Sequence, residues 1–180
     1  MHRTEPTTDV DVRQACFADL AAVSRALGGT EFFAERLERQ KNGRGALFIA
    51  WLSDEPVGDV YLWLEAAEEH QVRRNLPGVA LLTHLEVLPD FRNRGVGTKL
   101  VAMVEDYLCA HGHRRAALAV RDDNGRAAQL YYRLGYRDWG HGKLICFANV
   151  TVPGGGYEVA PEPCYFLVKQ LTTGQPAGVT

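Results

Sequence analysis

The sequence has almost no excess charge of either sign: 20 lysines and arginines stand against 22 acids, a formal net charge of −2. It therefore lacks the basic surface on which non-specific binding to nucleic acid or anionic membrane depends. It has no apolar run long enough to cross a bilayer. Its first residues, with Glu5, Asp9 and Asp11, lack the basic-then-apolar pattern of a signal peptide. A cytoplasmic protein without nucleic acid or membrane as partner is expected. The cysteines are few and scattered (Cys16, Cys109, Cys146, Cys164), with no C-x-x-C spacing. They read as reduced, buried thiols, not as a disulfide or zinc framework. The histidines form no H-E-x-x-H or other metal spacing, so no metal is expected. Internal repeats and interdomain linkers are also missing.

What is present fits one domain over residues 1–171, with residues 172–180 as a disordered tail. The length of 180 residues and an apolar share of 46% suffice for a proper core. Val10–Cys16 alternates as a first strand. Asp19 is placed to cap a helix through Leu20, Val23 and Leu27 that Gly28-Gly29 ends, and Thr30 to cap a second helix bearing Phe33 and Leu37. Ala46–Leu52 and Val57–Leu64 read as a hairpin around Ser53–Pro56. Glu65–Gly78 is polar and reads as a mobile loop. Late strands fall at Lys143–Phe147 and Pro163–Lys169, with a glycine-rich loop at Val152–Glu158 between them. The fold class is α/β, with a mixed sheet.

The chain is organised around Leu81–Tyr136. An apolar strand to Leu88 meets a turn, Pro89-Asp-Phe, and then the segment Arg92-Asn-Arg-Gly-Val-Gly97. A helical pattern follows at once through Leu100, Val101, Val104 and Leu108. Strand, glycine turn and helix let backbone amides surround phosphate. Gly95 and Gly97 have no side chain to block the approach, and the first helical amides lack internal partners. Arg92 and Arg94 add fixed positive charge. A tight structural turn with solvated arginines is the competing reading. A Walker loop is excluded, because Gly-Val-Gly-Thr-Lys does not fit G-x-x-x-x-G-K-[ST]. A dinucleotide fingerprint is excluded because Leu100 stands where its third glycine should be.

Beyond this helix lie a strand, Ala116–Val120, a loop to Asn124, and a helix from Gly125 to Leu134 that ends in Gly135-Tyr136. The paired motifs R-x-x-G-x-G and N-x-x-A-x-x-L-Y-x-x-L-G-Y, with Val-x-Pro-x-Phe-Arg before them, resemble the GNAT superfamily of acyl-CoA-dependent N-acyltransferases. The resemblance covers roughly Leu81 to Tyr136. It implies a mostly antiparallel sheet flanked by helices, with two central parallel strands, Thr83–Leu88 and Ala116–Val120, splayed apart. It implies acetyl-CoA as co-substrate. Arg92, Asn93, Arg94, Gly95, Val96, Gly97 and Thr98 would hold the pyrophosphate. Leu85, Val87, Asn124, Ala127 and Tyr131 would lie along the pantetheine arm and acyl group. The acceptor would be an amine on a small molecule or a protein, and a homodimer through the late strands is allowed.

By spacing alone Tyr131 is a core aromatic, sharing a helical face with Ala127, Leu130 and Leu134. The resemblance assigns it instead to protonating the CoA sulfur. The base is less well marked. Family members often carry Glu or His on the central strand, at positions that alternation from Val87 puts at Leu81 and Thr83, and neither is a base. His84 and Glu86 have the opposite parity, and a bulge in the strand could re-aim them. They are the candidate bases, against a satisfied core histidine and a solvated acid. Glu31, Glu65, Glu69 or water are further candidates. The acids Glu31, Glu35, Glu65, Glu68, Glu69 and Glu158 could attract a cationic amine, though ordinary surface charge explains most of them. An acyl-CoA-binding module without turnover and a non-catalytic interaction domain are the rival readings.

Overall fold

The computed structural model describes residues 9–151 and 157–172. The strands are β1 (Val10–Gln14), β2 (Gly45–Leu52), β3 (Glu55–Trp63), β4 (Ala80–Val87), β5 (Arg115–Arg121), β6 (Arg137–Asp138), β7 (Leu144–Thr151) and β8 (Tyr157–Gln170). The α-helices are α1 (Leu20–Leu27), α2 (Thr30–Lys41), α3 (His70–Asn75), α4 (Val96–Ala110) and α5 (Gly125–Arg133). The strands form one sheet in the order β1-β2-β3-β4-β5-β8-β6, with β7 paired to β8. Every pairing is antiparallel except β4 with β5. Among the described residues no helix is long and apolar enough to cross a membrane.

β2, and β3 apart from its first residue and Asp59, are apolar because helices cover both faces. Leu47, Ile49 and Tyr61 pack with Val23 of α1 and with Phe33 and Leu37 of α2. Phe48, Val60 and Leu62 pack on the other face with Leu100, Val101, Val104 and Leu108 of α4. Each of these large side chains contributes roughly 1.5–3 kcal/mol by leaving water.

Two features of β4 build the site. The first is its divergence from β5: the parallel pairing holds only at Ala80–Ala116 and Leu81–Ala117. Past that point the strands splay. The second is a bulge. Gly58 and Asp59 of β3 pair with Val87 and Glu86, but Tyr61 pairs with Thr83, so Val60 alone faces His84 and Leu85. His84 takes up the extra residue in a left-handed conformation, φ 49. The insertion corrects the expectation from unbroken alternation. Leu81 does not share a face with Val87: it packs with Ala117, Trp139 and Phe166, whereas Leu82, Leu85 and Val87 all meet the α4 core. By alternation Thr83 follows Leu81. The His84 ring packs at a tilt against Phe32 of α2 with ring centroids 4.3 Å apart, and Glu86 lies beside it, so both stand across the sheet from Val87.

Other expectations are corrected. Asp19 holds the cap position of α1, but its side chain does not bond to the helix amides. Its carboxylate accepts from the Cys16 amide at 2.9 Å and takes both terminal nitrogens of Arg13. Gly29, in the left-handed region, is the cap of α2, and Thr30 is already helical. The β2–β3 turn is tighter than expected, since Leu52 pairs with Glu55. The Glu65–Gly78 segment is not a loop throughout. It contains α3, whose Val72 is buried with Ala67 and Val79 against Trp139 and Leu144, and Arg73 donates to the carbonyls of Ala67 and Glu68. Of the cysteines only Cys164 is buried; Cys16 is exposed, and all four are free. The expected loop at Val152–Glu158 and the tail beyond Thr172 fall largely outside the described residues.

Candidate active site

The turn after β4 is held by its own side chains. Arg92 Nε donates to the Val87 carbonyl at 2.8 Å, which ties the turn back to the strand end. Arg94 lies over the Phe91 ring. Asn93 adopts φ 60, and its side-chain oxygen accepts from Arg126 of α5. Gly95, at φ 81, is the cap of α4 and offers no side chain to its amides. The first bond inside this helix runs from Lys99 N to Gly95 O. The amides of Val96, Gly97 and Thr98 thus face outward at the positive end of the helix dipole. Asn124 caps α5 by accepting from the Ala127 amide at 3.1 Å, as its sequence position predicts.

Between the end of β4, the start of α4 and α5 lies a cavity of about 440 Å³. It gathers Leu85, Val87, Arg92, Asn93, Gly95, Val96, Gly97, Thr98, Asn124, Ala127 and Tyr131. Arg94 alone of the predicted cradle residues is not part of its wall. Phe91, Arg126, Leu130 and Arg133 line it too. The last two arginines sit on the α5 side of the cavity, and helical spacing alone does not disclose their direction. With Arg92 they set three guanidinium groups around one space.

Tyr131 borders this cavity and is otherwise enclosed, 7% exposed, with its ring edge-on to Tyr136 at 5.7 Å. Burial drives its phenol well above the ordinary range, so it keeps its proton. Tyr132 points outward, as expected.

Glu86 also lines the cavity, whereas His84 does not. His84 Nε2 lies 3.5 Å from Glu86 Oε2 and 3.4 Å from Oδ2 of Asp59. Asp59 was not legible as a site residue. Its one signal is an acid within the otherwise apolar Val57–Leu64 run, and only strand pairing shows that it faces Glu86. Burial, with a smaller push from the Glu86 charge, raises the Asp59 carboxyl to about 8. Burial lowers His84, Arg36 adds to that, and Glu86 opposes it. The three ligand atoms lie within 4.8 Å of one another. Burial thus favours the neutral acid at Asp59, with an imidazole nitrogen and a second carboxyl within reach of it.

The acids considered for attracting a cationic amine are partly spoken for. Glu35 pairs with Arg36 and Arg39, and Glu65 with Arg39 and Arg44. Glu31, Glu68 and Glu69 stay at the surface or its margin. The Glu158 side chain lies outside the described residues.

A family model described as the acetyltransferase (GNAT) family matches residues 13–136. An uncharacterised N-acetyltransferase of Methanocaldococcus jannaschii is 30% identical over 110 residues, which are 59% of this chain and 44% of that protein. The match therefore spans less than half of that relative. Among solved structures, the ribosomal-protein-S18-alanine N-acetyltransferase of Escherichia coli is similar with TM-score 0.65 and 17% identity, covering 96% of this chain and all of that one. YncA of Salmonella typhimurium, solved with its cofactor acetyl-CoA, has TM-score 0.66 and 15% identity over 96% of this chain and 99% of that one. Both structures share the fold. With the family model matched over most of its length, the chain belongs to the GNAT family of acetyltransferases.

Proposed function

We propose that this protein transfers an acetyl group from acetyl-CoA to a primary amine, on a small molecule or a protein, by direct attack on the thioester. One observation carries the reading: a single cavity runs from the α4 amides to Tyr131 and Glu86. The outward amides of Val96–Thr98, with Arg92 and Arg126, suit a pyrophosphate. The edge of β4 freed beyond Leu81 suits the peptide-like pantetheine arm, which would lie along Leu85 and Val87 beside Asn124 and Ala127. Tyr131, held protonated by burial, is positioned as the acid for the departing sulfur. Glu86 and His84 stand on the α2 side, where the amine would approach and lose its proton. Direct attack needs no cysteine nucleophile, and Cys146 fits that role poorly, because burial raises its thiol to about 12.

The test is titration calorimetry with acetyl-CoA, with desulfo-CoA and ATP as controls, followed by thiol release with a panel of amines. Saturable acetyl-CoA binding and amine-dependent thiol release are expected. A folded sample that binds no acetyl-CoA would overturn the assignment of the cavity.

A further inference from the structure

Asp59 is the buried acid of the described core, 1% exposed. Strand register fixes it between Ile49 of β2 and Glu86 of β4. Its Oδ2 is enclosed and has no hydrogen-bond partner, yet it lies 3.4 Å from His84 Nε2. The same nitrogen lies 3.5 Å from Glu86, whose side chain is 63% exposed and borders the cavity. One imidazole nitrogen therefore stands between an enclosed carboxyl and an open one. An unpaired buried carboxyl is costly, and an apolar side chain would suit this strand better.

We propose that Asp59 is a proton store for the transfer reaction, filled from the substrate ammonium through Glu86 and His84 Nε2. This rests on the amine-acetylation reading above. An N–H bond of R–NH3+ breaks, and the proton bonds first to Glu86. It passes to the Nε2 lone pair and then to Asp59 Oδ2, where an O–H bond forms. The amine is left with a free electron pair. The second nitrogen proton leaves on the CoA thiol, so the store takes the one proton that the overall reaction releases. Water receives it by the same route after product departs. Asp59 touches no substrate in this scheme and is a positioning residue.

The surroundings favour this direction of flow. β2 presents Ile49 and α1 presents Val23 to this side of the sheet, so neither adds charge. α2 brings Phe32 onto His84, and Arg36, whose charge adds to the burial that lowers the imidazole. β4 supplies Glu86, whose charge helps raise Asp59. Burial thus favours a proton on Asp59 and disfavours one on the imidazole between the two carboxyls. Below about pH 8 Asp59 already holds a proton and the store is full; above it, the store is open.

The pH dependence of kcat in the wild type, Asp59→Asn and Glu86→Gln tests this, with acetyl-CoA affinity measured alongside. Wild-type kcat is expected to rise roughly tenfold per pH unit toward a plateau above the step. Asp59→Asn should lose that step and fall about 100-fold at the plateau, with unchanged acetyl-CoA affinity. Glu86→Gln, at an exposed position that does not threaten the fold, should move the step to lower pH and also lower the plateau, because the amide cannot pass the proton on. Nitrogen resonances of His84 in the labelled full-length chain read the same step without an acceptor. A step at Nε2 that disappears in Asp59→Asn supports the store. A wild-type step unchanged in both variants overturns it. Absence of acetyl-CoA binding would instead overturn the acetylation reading, and the His84 titration would still report on Asp59.

Discussion

Arg92 Nε and the Val87 carbonyl, 2.8 Å apart, join the end of the central strand to the turn that follows it. The bond uses one nitrogen of the guanidinium and leaves the terminal pair clear of it. Arg92→Met should weaken acetyl-CoA binding at least tenfold, a loss of about 1.4 kcal/mol. Arg92→Lys should recover only part of it, because a point charge cannot hold the carbonyl and a phosphate together. Calorimetry of the three proteins gives the comparison, and equal affinities would separate Arg92 from the cradle.

Tyr131→Phe removes only a hydroxyl, from a residue that borders the cavity. Turnover should fall about 100-fold while the acetyl-CoA dissociation constant stays within twofold. Burial holds this phenol protonated across the working pH range, so it contributes no alkaline decline in the wild type. Intact turnover in Tyr131→Phe would leave it as a packing residue.

Gly95 and Gly97 should respond differently. A Cβ at Gly95 meets nothing within 4 Å, but φ is 81 there, so Gly95→Ala costs about 1–2 kcal/mol in backbone strain alone. Gly95→Asn should be milder, since asparagine tolerates that region. A Cβ at Gly97 makes an ordinary 3.5 Å contact with Leu130, and Gly97→Ala should change stability by less than about 0.5 kcal/mol. Thermal unfolding distinguishes them.

The Arg13–Asp19 pair should appear in the acid limb of stability. Asp19 is held down to about 2, chiefly by its hydrogen bonds from Arg13. A carboxyl lowered on folding contributes stability above its unfolded value, and that contribution disappears as pH falls toward 2. With Arg13 half-exposed, solvent screening reduces the contribution to about 1 kcal/mol. Asp19→Asn should lower Tm at pH 7 and leave it nearly unchanged at pH 2.

Asp59 should act with the opposite sign. Its folded value of about 8 lies above the unfolded one, so the fold prefers the neutral acid. The stability tied to that proton is complete below about pH 4 and drains away as pH rises through 8. Asp59→Asn should therefore raise Tm at pH 8 and not at pH 3.5. A fall in Tm at pH 8 would mean that the carboxylate is held by a partner.

The cradle was legible because its signals are local. Left-handed glycine at the turn, an asparagine cap and helical spacing all act within a few residues, and Gly95, Asn124 and Tyr131 stand where these signals put them. The Asp59–His84–Glu86 group was only half legible because it is made by pairing. His84 and Glu86 were named, but nothing near them in sequence marks the inserted residue, and Asp59 joins them only through the register of β3. Helix α3 was missed for a similar reason. Six residues among charges carry little periodicity, and Val72 is apolar to some purpose only once Trp139 and Leu144 arrive from much later in the chain.

The extra residue at His84 is a phase shift in the pleat, and it makes a deletion behave unlike the usual one. In a regular strand, removing one residue turns half of the side chains over. Removing His84 does the reverse: it restores strict alternation, with Leu82, Leu85 and Val87 still toward the α4 core and Leu81, Thr83 and Glu86 still toward the other face. A deletion of His84 should therefore be tolerated far better than the same deletion in a strand without a bulge, and what it removes is the imidazole and its left-handed step.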